Sequence, residues 1–227
     1  MYAILDIETT GGKFNEEGIT EIAIYKFDGH TIVDQFISLV NPEKEIQQFV
    51  VGLTGINNKM LQNAPKFYEI AKRVIEITKD CTLVAHNTTF DYRILSTEFD
   101  RLGYDFNRNT LCTVELSKQL ILDQPSYSLG KLTKALGIPM TDRHRASGDA
   151  LATVQLFKLL LEKDSTKTII KEYVKYYDQR IEKDRIQKLI AAVPSDTGLF
   201  YVHDKNGKIL FLGRGKNVKS EVNKLFL

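Results

Sequence analysis

Tyr2 to Gly12 read YAILDIETTGG, an apolar run that carries two carboxylates two residues apart and closes on paired glycines. The run has the length of a buried strand, and Thr-Thr-Gly-Gly is turn chemistry that ends it. Side chains alternate along a strand, so Asp6 and Glu8 face the same way, about 6.7 Å apart. Two like charges at ~4 Å repel by roughly 4 kcal/mol near a protein surface. The pair therefore sits in water or faces a cation, and this stretch alone fits both readings equally. The two side chains differ in length, which lets their head groups converge on one ion at oxygen–metal distances near ~2.1 Å.

Outward from this strand, GITEIAIYKFDG and TIVDQFISLVNP are β-rich and joined through Asp-Gly-His, the pattern of a hairpin-linked meander. Pro65 opens a helical pattern with Phe67, Ile70, Val74 and Ile77 on one face. CTLVAHN is a short buried strand, followed by a helix whose apolar positions are Phe90, Ile94, Phe99 and Leu102. Three more helices follow, around Val114–Leu122, Ser128–Leu136 and Gly148–Leu161. Strands first, then alternating helices and strands, predict an α/β domain with a mixed sheet. Residues 164–190 read as a charged amphipathic linker helix with a solvated face, and LFYVHDKNGKILFLG is a hairpin around Asn206-Gly207 that precedes a short basic helix.

Two further acidic elements lie beyond the first. In AHNTTFD, His86 and Asn87 end a strand and Asp91 falls in the first turn of the next helix. An acid there also suits capping, since Thr88 and Asp91 have capping-box spacing, so Asp91 alone reads as a cap before it reads as a ligand. In HRASGDA, His144 lies in a loop and Asp149 near a helix start. Each element is weak by itself. Their order is not: Asp6-x-Glu8, His86-Asn87 with Asp91, and His144 with Asp149 resemble the DEDDh 3′→5′ exonuclease family, DnaQ-like and similar to the polymerase III epsilon subunit, over residues 1–163. EIAIYKFDG, LTGI, SLGKLTKALGI and HRASGDALAT extend the resemblance.

The resemblance implies an RNase H-like five-stranded mixed sheet, an antiparallel meander plus parallel strands, flanked by helices. It implies hydrolysis of phosphodiester bonds from a 3′ end, with Asp6, Glu8, Asp91 and Asp149 as metal ligands and His144 as general base. An all-carboxylate set without cysteine selects Mg²⁺ or Mn²⁺ over zinc, and two such ions ~3.5–4 Å apart stabilise attacking and leaving oxygens. Histidine titrates near neutrality, which suits the deprotonation of water. Thr9, Thr10 and Gly11 would approach the terminal nucleotide, with Asn87 and Phe90 as further nucleotide contacts, although Phe90 reads equally as core. The expected substrate is single-stranded or 3′-terminal nucleic acid, DNA ahead of RNA, with a DNA polymerase or repair factor as partner. An oligonucleotide-degrading exoribonuclease, or a non-catalytic module that delivers a polymerase to nucleic acid, are the alternatives; a scaffold does not need all five site residues.

Residues 191–227 resemble the opening of a GIY-YIG nuclease domain of the excision-repair type. Phe200 and Phe211 replace both tyrosines, Glu221 stands where the arginine is expected, and the 227 residues end before the position of that family's metal-binding glutamate, so a degenerate remnant and a piece of a longer fusion are both open. A hairpin and helix used for packing or binding is the expectation, with Lys205, Lys208, Arg214, Lys216 and Lys219 available to phosphate. Composition excludes several classes. The 227 residues are 43% hydrophobic with net charge +2, so charge alone announces no nucleic-acid binder. Two cysteines make no disulfide framework or zinc spacing, and no apolar run approaches the ~20 residues of a membrane span. The N-terminus lacks signal-peptide character, and a cytoplasmic location is expected. Gln155-Leu156-Phe157 lies mid-helix, where core packing is the expected role.

Overall fold

Strand β1 (Tyr2–Thr9) is the centre of a five-stranded sheet, and everything that builds the site is placed relative to it. In the computed structural model, which describes residues 1–176, 186–203 and 207–226, the chain divides into two compact units, Met1–Tyr177 and Asp178–Leu227. In the first unit β2 (Ile19–Phe27) pairs antiparallel with β1, and β3 (Ile32–Leu39) antiparallel with β2. On the other side β4 (Thr82–Ala85) and β5 (Thr110–Cys112) run parallel, giving the order β3-β2-β1-β4-β5. The meander needs only a tight turn, whereas the parallel strands need helical crossovers. Short helices α1 (Gln48–Thr54) and α2 (Asn58–Leu61) lead to α3 (Phe67–Thr78), which returns the chain to β4, and α4 (Thr88–Arg101) carries it to β5.

The two-residue strand period decides which residues meet which layer. Ala3, Leu5 and Ile7 of β1, with Ile22 and Ile24 of β2, pack under α3 and α4 against Val74, Ile94, Leu95 and Phe99. Ile4 of β1 and Ala23, Tyr25 and Phe27 of β2 face the opposite layer. That layer is α5 (Thr113–Leu120), α6 (Leu129–Ala135), α7 (Ala146–Lys163) and α8 (Thr168–Tyr173), which supply Leu116, Leu132, Ala150, Val154, Phe157 and Ile170. Asp6 and Glu8 share the Ile4 face by the same alternation, so the sheet aims both carboxylates toward the layer led by α7. Leu156 and Phe157 are fully buried there, as core packing requires.

Two local expectations are corrected. Phe90 and Leu102 do not join the apolar face of α4; they are 36% and 45% exposed. Phe90 falls outside the buried arc of Asp91, Tyr92, Ile94, Leu95 and Phe99, and Leu102 is the cap residue past the last turn. Thr88 and Asp91 form no capping box. Asn87 is the N-cap, in the left-handed conformation at φ 84°, and the Thr88 hydroxyl instead donates to the Ala85 and Leu111 carbonyls.

Within 164–190, residues 177–185 lie outside those described. Asp164 is buried and accepts the Thr168 and Ile170 N–H groups at the start of α8, and Lys175 pairs with Thr110 at the edge of β5. In the second unit, helix α9 (186–191) precedes β6 (Gly198–His203) and β7 (Ile209–Gly215), an antiparallel pair, and α10 (Val218–Phe226). The turn residues Lys205 and Asn206 lie outside those described. Ile190, Val218 and Val222 form this unit's core with Phe200 against them. A side chain at Gly213 would meet the Phe200 ring at 2.4 Å, so the glycine is set by close packing of that ring. No helix among the described residues is long and apolar enough to cross a membrane.

Candidate metal and catalytic site

The site forms at the carboxyl ends of β1 and β4, where the strand connections diverge and open α/β sheets leave a crevice. β4 pairs with β1 only over Tyr2–Ile4, so beyond Ile4 that edge of β1 is unpaired by β4. The freed Ile7 N–H donates to the Asp91 carboxylate, which also accepts from its own N–H. The first turn of α4 thus docks an acid onto the strand that carries Asp6 and Glu8. From the opposite layer the first turn of α7 brings in Asp149.

Asp6, Glu8 and Asp149 each offer a carboxylate oxygen within 4.8 Å of the others. Like charge and burial act together on this cluster. Burial, followed by Asp91, Asp149, Glu8 and Glu21, raises the Asp6 carboxyl well above its usual range. Glu8 is pushed from 4.5 to about 8, first by burial and then by Asp149 and Glu21, with Arg145 opposing. Asp91, 4% exposed, is lifted from 3.8 to about 8 by burial and by Glu8, against its two N–H bonds. Burial also raises Asp149, while the charge of His144 and its backbone N–H pull it back. Asp149 Oδ1 is buried and has no hydrogen-bond partner. A buried carboxylate oxygen without a donor costs free energy unless a cation meets it. These oxygens and that orphan atom fit a hard divalent ion.

His144 sits in the loop before α7 at φ 62°, in the left-handed region, half-buried beside Asp149. His86, by contrast, is held inside the fold: its ring nitrogens meet the Thr113 hydroxyl at 2.9 Å and the Tyr127 carbonyl at 2.7 Å. Burial lowers its pKa, keeping the ring neutral.

Thr10 is a structural knot. Its hydroxyl donates to the Gly11 carbonyl and accepts the Gly18 N–H, while its backbone pairs with Gly18 and Gln47. The Thr9 hydroxyl accepts the Gly11 N–H at 3.3 Å. Gly11 has φ 68°, and a Cβ there would lie 2.9 Å from Gln47 Oε1 and Val50 Cγ2, so the glycine admits α1. Asn87 and Phe90 are exposed on the first turn of α4, with the Arg93 guanidinium 5.5 Å from the Phe90 ring and 4.3 Å from that of Phe14.

Two buried acids that the motif reading passed over pair with arginines. Glu21, 2% exposed, faces Glu8 across the β1–β2 register and accepts a two-pronged bond from Arg145. Glu17 on the neighbouring loop binds Arg93 at 2.7 Å, and Arg101 donates to the Asn15 and Glu17 carbonyls. The available signal was an acid on the inward parity of an otherwise apolar strand, ITEIAIYKF.

The RNase_T exonuclease family model matches residues 3–157. The polymerase named DNA polymerase III PolC-type from Caldanaerobacter subterraneus subsp. tengcongensis is 36% identical over 162 residues, 71% of this chain and 12% of the relative. The 3′-5′ exonuclease DinG of Staphylococcus aureus is 34% identical over 163 residues, 71% of this chain and 18% of the relative. This chain therefore spans less than a fifth of the length of these curated relatives. Among solved structures, Exonuclease X in complex with 5′-overhanging duplex DNA superposes with TM-score 0.60 at 26% identity, covering 73% of this chain and 93% of that one. E. coli Exonuclease I in complex with a dT13 oligonucleotide shares the fold at TM-score 0.65 and 18% identity, over 91% of this chain and 49% of that one.

Proposed function

The chain belongs to the exonuclease family whose model spans residues 3–157, and from that premise we propose that it removes nucleotides from the 3′ end of DNA with the help of two divalent ions, Mg²⁺ or Mn²⁺. One observation carries the reading: the convergence of Asp6, Glu8 and Asp149 oxygens within 4.8 Å, with an Asp149 oxygen buried and unpartnered. In this reading Asp6, Glu8 and Asp149 would hold the ion on the nucleophile side, and Asp6 together with Asp91, directly or through water, would hold the second. Bound there, the ions supply positive charge against the scissile phosphate and the leaving oxygen. His144 takes the proton of the attacking water on a ring nitrogen, so that the water oxygen bonds to phosphorus as the bond to the 3′-oxygen of the penultimate nucleotide breaks. Glu8 lies beside the terminal 3′-hydroxyl and restricts cleavage to the chain end, with Thr9, Gly11, Asn87 and Phe90 toward the nucleotide and Thr10 holding their segment from within.

The preference for DNA is supported by the name of the DNA polymerase III PolC-type relative and by the DNA complex of Exonuclease X. A DNA polymerase or a repair factor is the corresponding partner class. The deciding experiment is cleavage of 3′-labelled and 5′-labelled single strands, DNA beside RNA, with and without EDTA. Stepwise loss of the 3′ label from DNA, abolished by EDTA, is expected. Binding without cleavage, or cleavage indifferent to EDTA, would overturn the proposal.

A further inference from the structure

Glu21 is a buried acid that the chemistry above does not use, and its partners lie on the loop that carries the rest of the site. It projects from β2 opposite Glu8. Its carboxylate accepts from Arg145 Nε at 3.0 Å, Arg145 Nη2 at 2.6 Å and the Ala146 N–H at 2.8 Å. Both donor residues stand between His144 and Asp149. The loop before them is irregular, with Asp142 and His144 in the left-handed region at φ 49° and 62°. At this end of α7 the buried residues are Ala146, Gly148 and Ala150, small residues that fill space but offer no directional side-chain bond to set the rotation of the helix about its axis. A planar guanidinium forked onto a carboxylate does fix it, because two parallel bonds define an angle as well as a distance.

We propose that the Glu21–Arg145 fork is a positioning latch that sets the first turn of α7 against the β1–β2 edge, and so sets Asp149 and His144 against Asp6 and Glu8. The inference rests on the exonuclease reading and adds to it two positioning residues that touch neither substrate nor ion. A latch is needed because the cluster is self-repelling: Asp6, Glu8 and Asp149 bring carboxylate oxygens within 4.8 Å of one another. Arg145 opposes this twice, by binding Glu21 and by placing its charge where Glu8 also feels it.

The test uses the full chain with Glu21→Gln, Arg145→Lys and the core control Val74→Ala, a fully buried position on α3. Groups that orient metal ligands typically change affinity or activity by about 10–100-fold when removed. Both latch variants are therefore expected to lose about 10–100-fold in kcat with KM within about threefold, and to need about tenfold more Mn²⁺ for half of the thermal stabilisation. Arg145→Lys keeps the charge and loses the fork, so an equal loss there assigns the effect to geometry. Val74→Ala should lower the melting temperature and leave kcat and the Mn²⁺ midpoint in place. Latch variants that behave like Val74→Ala overturn the inference while the exonuclease reading stands. Should Glu21→Gln fail to fold, Arg145→Lys, whose side chain is 35% exposed, decides by the same readouts. A wild-type chain that neither cleaves DNA nor gains stability from Mn²⁺ overturns the exonuclease reading, and the latch with it.

Discussion

Replacing Asp91 by Asn should make the metal-free protein more stable near neutrality while it removes activity. Burial holds the Asp91 carboxyl at about 8 in the fold against an ordinary 3.8. Between those values the folded chain binds more protons than the unfolded one, so stability falls as pH rises through the window and levels off above about 8. At ~1.4 kcal/mol per pKa unit, keeping this group in place costs about 4 kcal/mol at pH 7 and about 1 kcal/mol at pH 4.5. Asn has the same shape, still accepts the Ile7 N–H on its oxygen and cannot ionise, but its buried amide donors cost about 1–3 kcal/mol. The net expectation is a gain on the order of 2 kcal/mol at pH 7, about 4–8 °C in Tm for a chain of this size, and none at pH 4.5. Differential scanning calorimetry in EDTA at the two pH values measures this directly. Titration with Mn²⁺ should then raise the wild type toward or past the variant, since only the wild type keeps the full ligand set. An Asn variant that melts at or below the wild type at pH 7, or an advantage that persists at pH 4.5, would refute the reasoning.

Other perturbations probe separate parts of the site. His144→Ala should lose about 10²–10⁴-fold in kcat yet keep its fold and its Mn²⁺-induced rise in Tm; full activity would remove the histidine from the mechanism. Mn²⁺ at about 100 times its Kd should stabilise the wild type by about 2.7 kcal/mol, read as a Tm increase that EDTA reverses. Gly11→Ala places a Cβ 2.9 Å from Gln47 and Val50 at φ 68°, and should cost about 1–3 kcal/mol in urea unfolding. Arg93→Ala leaves Glu17, with a side chain 9% exposed, without its partner; a loss of about 3 kcal/mol and faster proteolysis within residues 13–18 are expected.

Much of the fold was legible because it follows from local pattern. The meander, the helix over Phe67–Thr78 and the C-terminal hairpin all come from periodicity and turn chemistry that neighbouring residues carry. The apolar face of α4 was misread at Phe90 and Leu102 for a related reason: the buried arc of a helix is chosen by what packs on it, and Asp91 was drawn into that arc by a strand edge. Whether Asp91 caps a helix or docks on the strand that carries Asp6 and Glu8 could not be read from residues 88–91. It turns on a backbone N–H at Ile7, which is available because β4 stops pairing with β1 after Ile4. Glu21 was passed over since its partners lie 124 and 125 residues away.

The sequence by itself determined that Asp6 and Glu8 share one face of a strand, since alternation is a property of the backbone. It also supplied the full set of acids, with His144, in an order that carries the family resemblance. Only the tertiary structure decided which way that face points, that Asp149 arrives from α7 and Asp91 from α4, and that Glu21 and Arg145 lock the approach. The reason is electrostatic as much as geometric. Carboxylates repel when they are brought close, and it takes a packed sheet with helices docked on both faces to hold Asp6, Glu8 and Asp149 within 4.8 Å of one another, with Asp91 acting on Asp6.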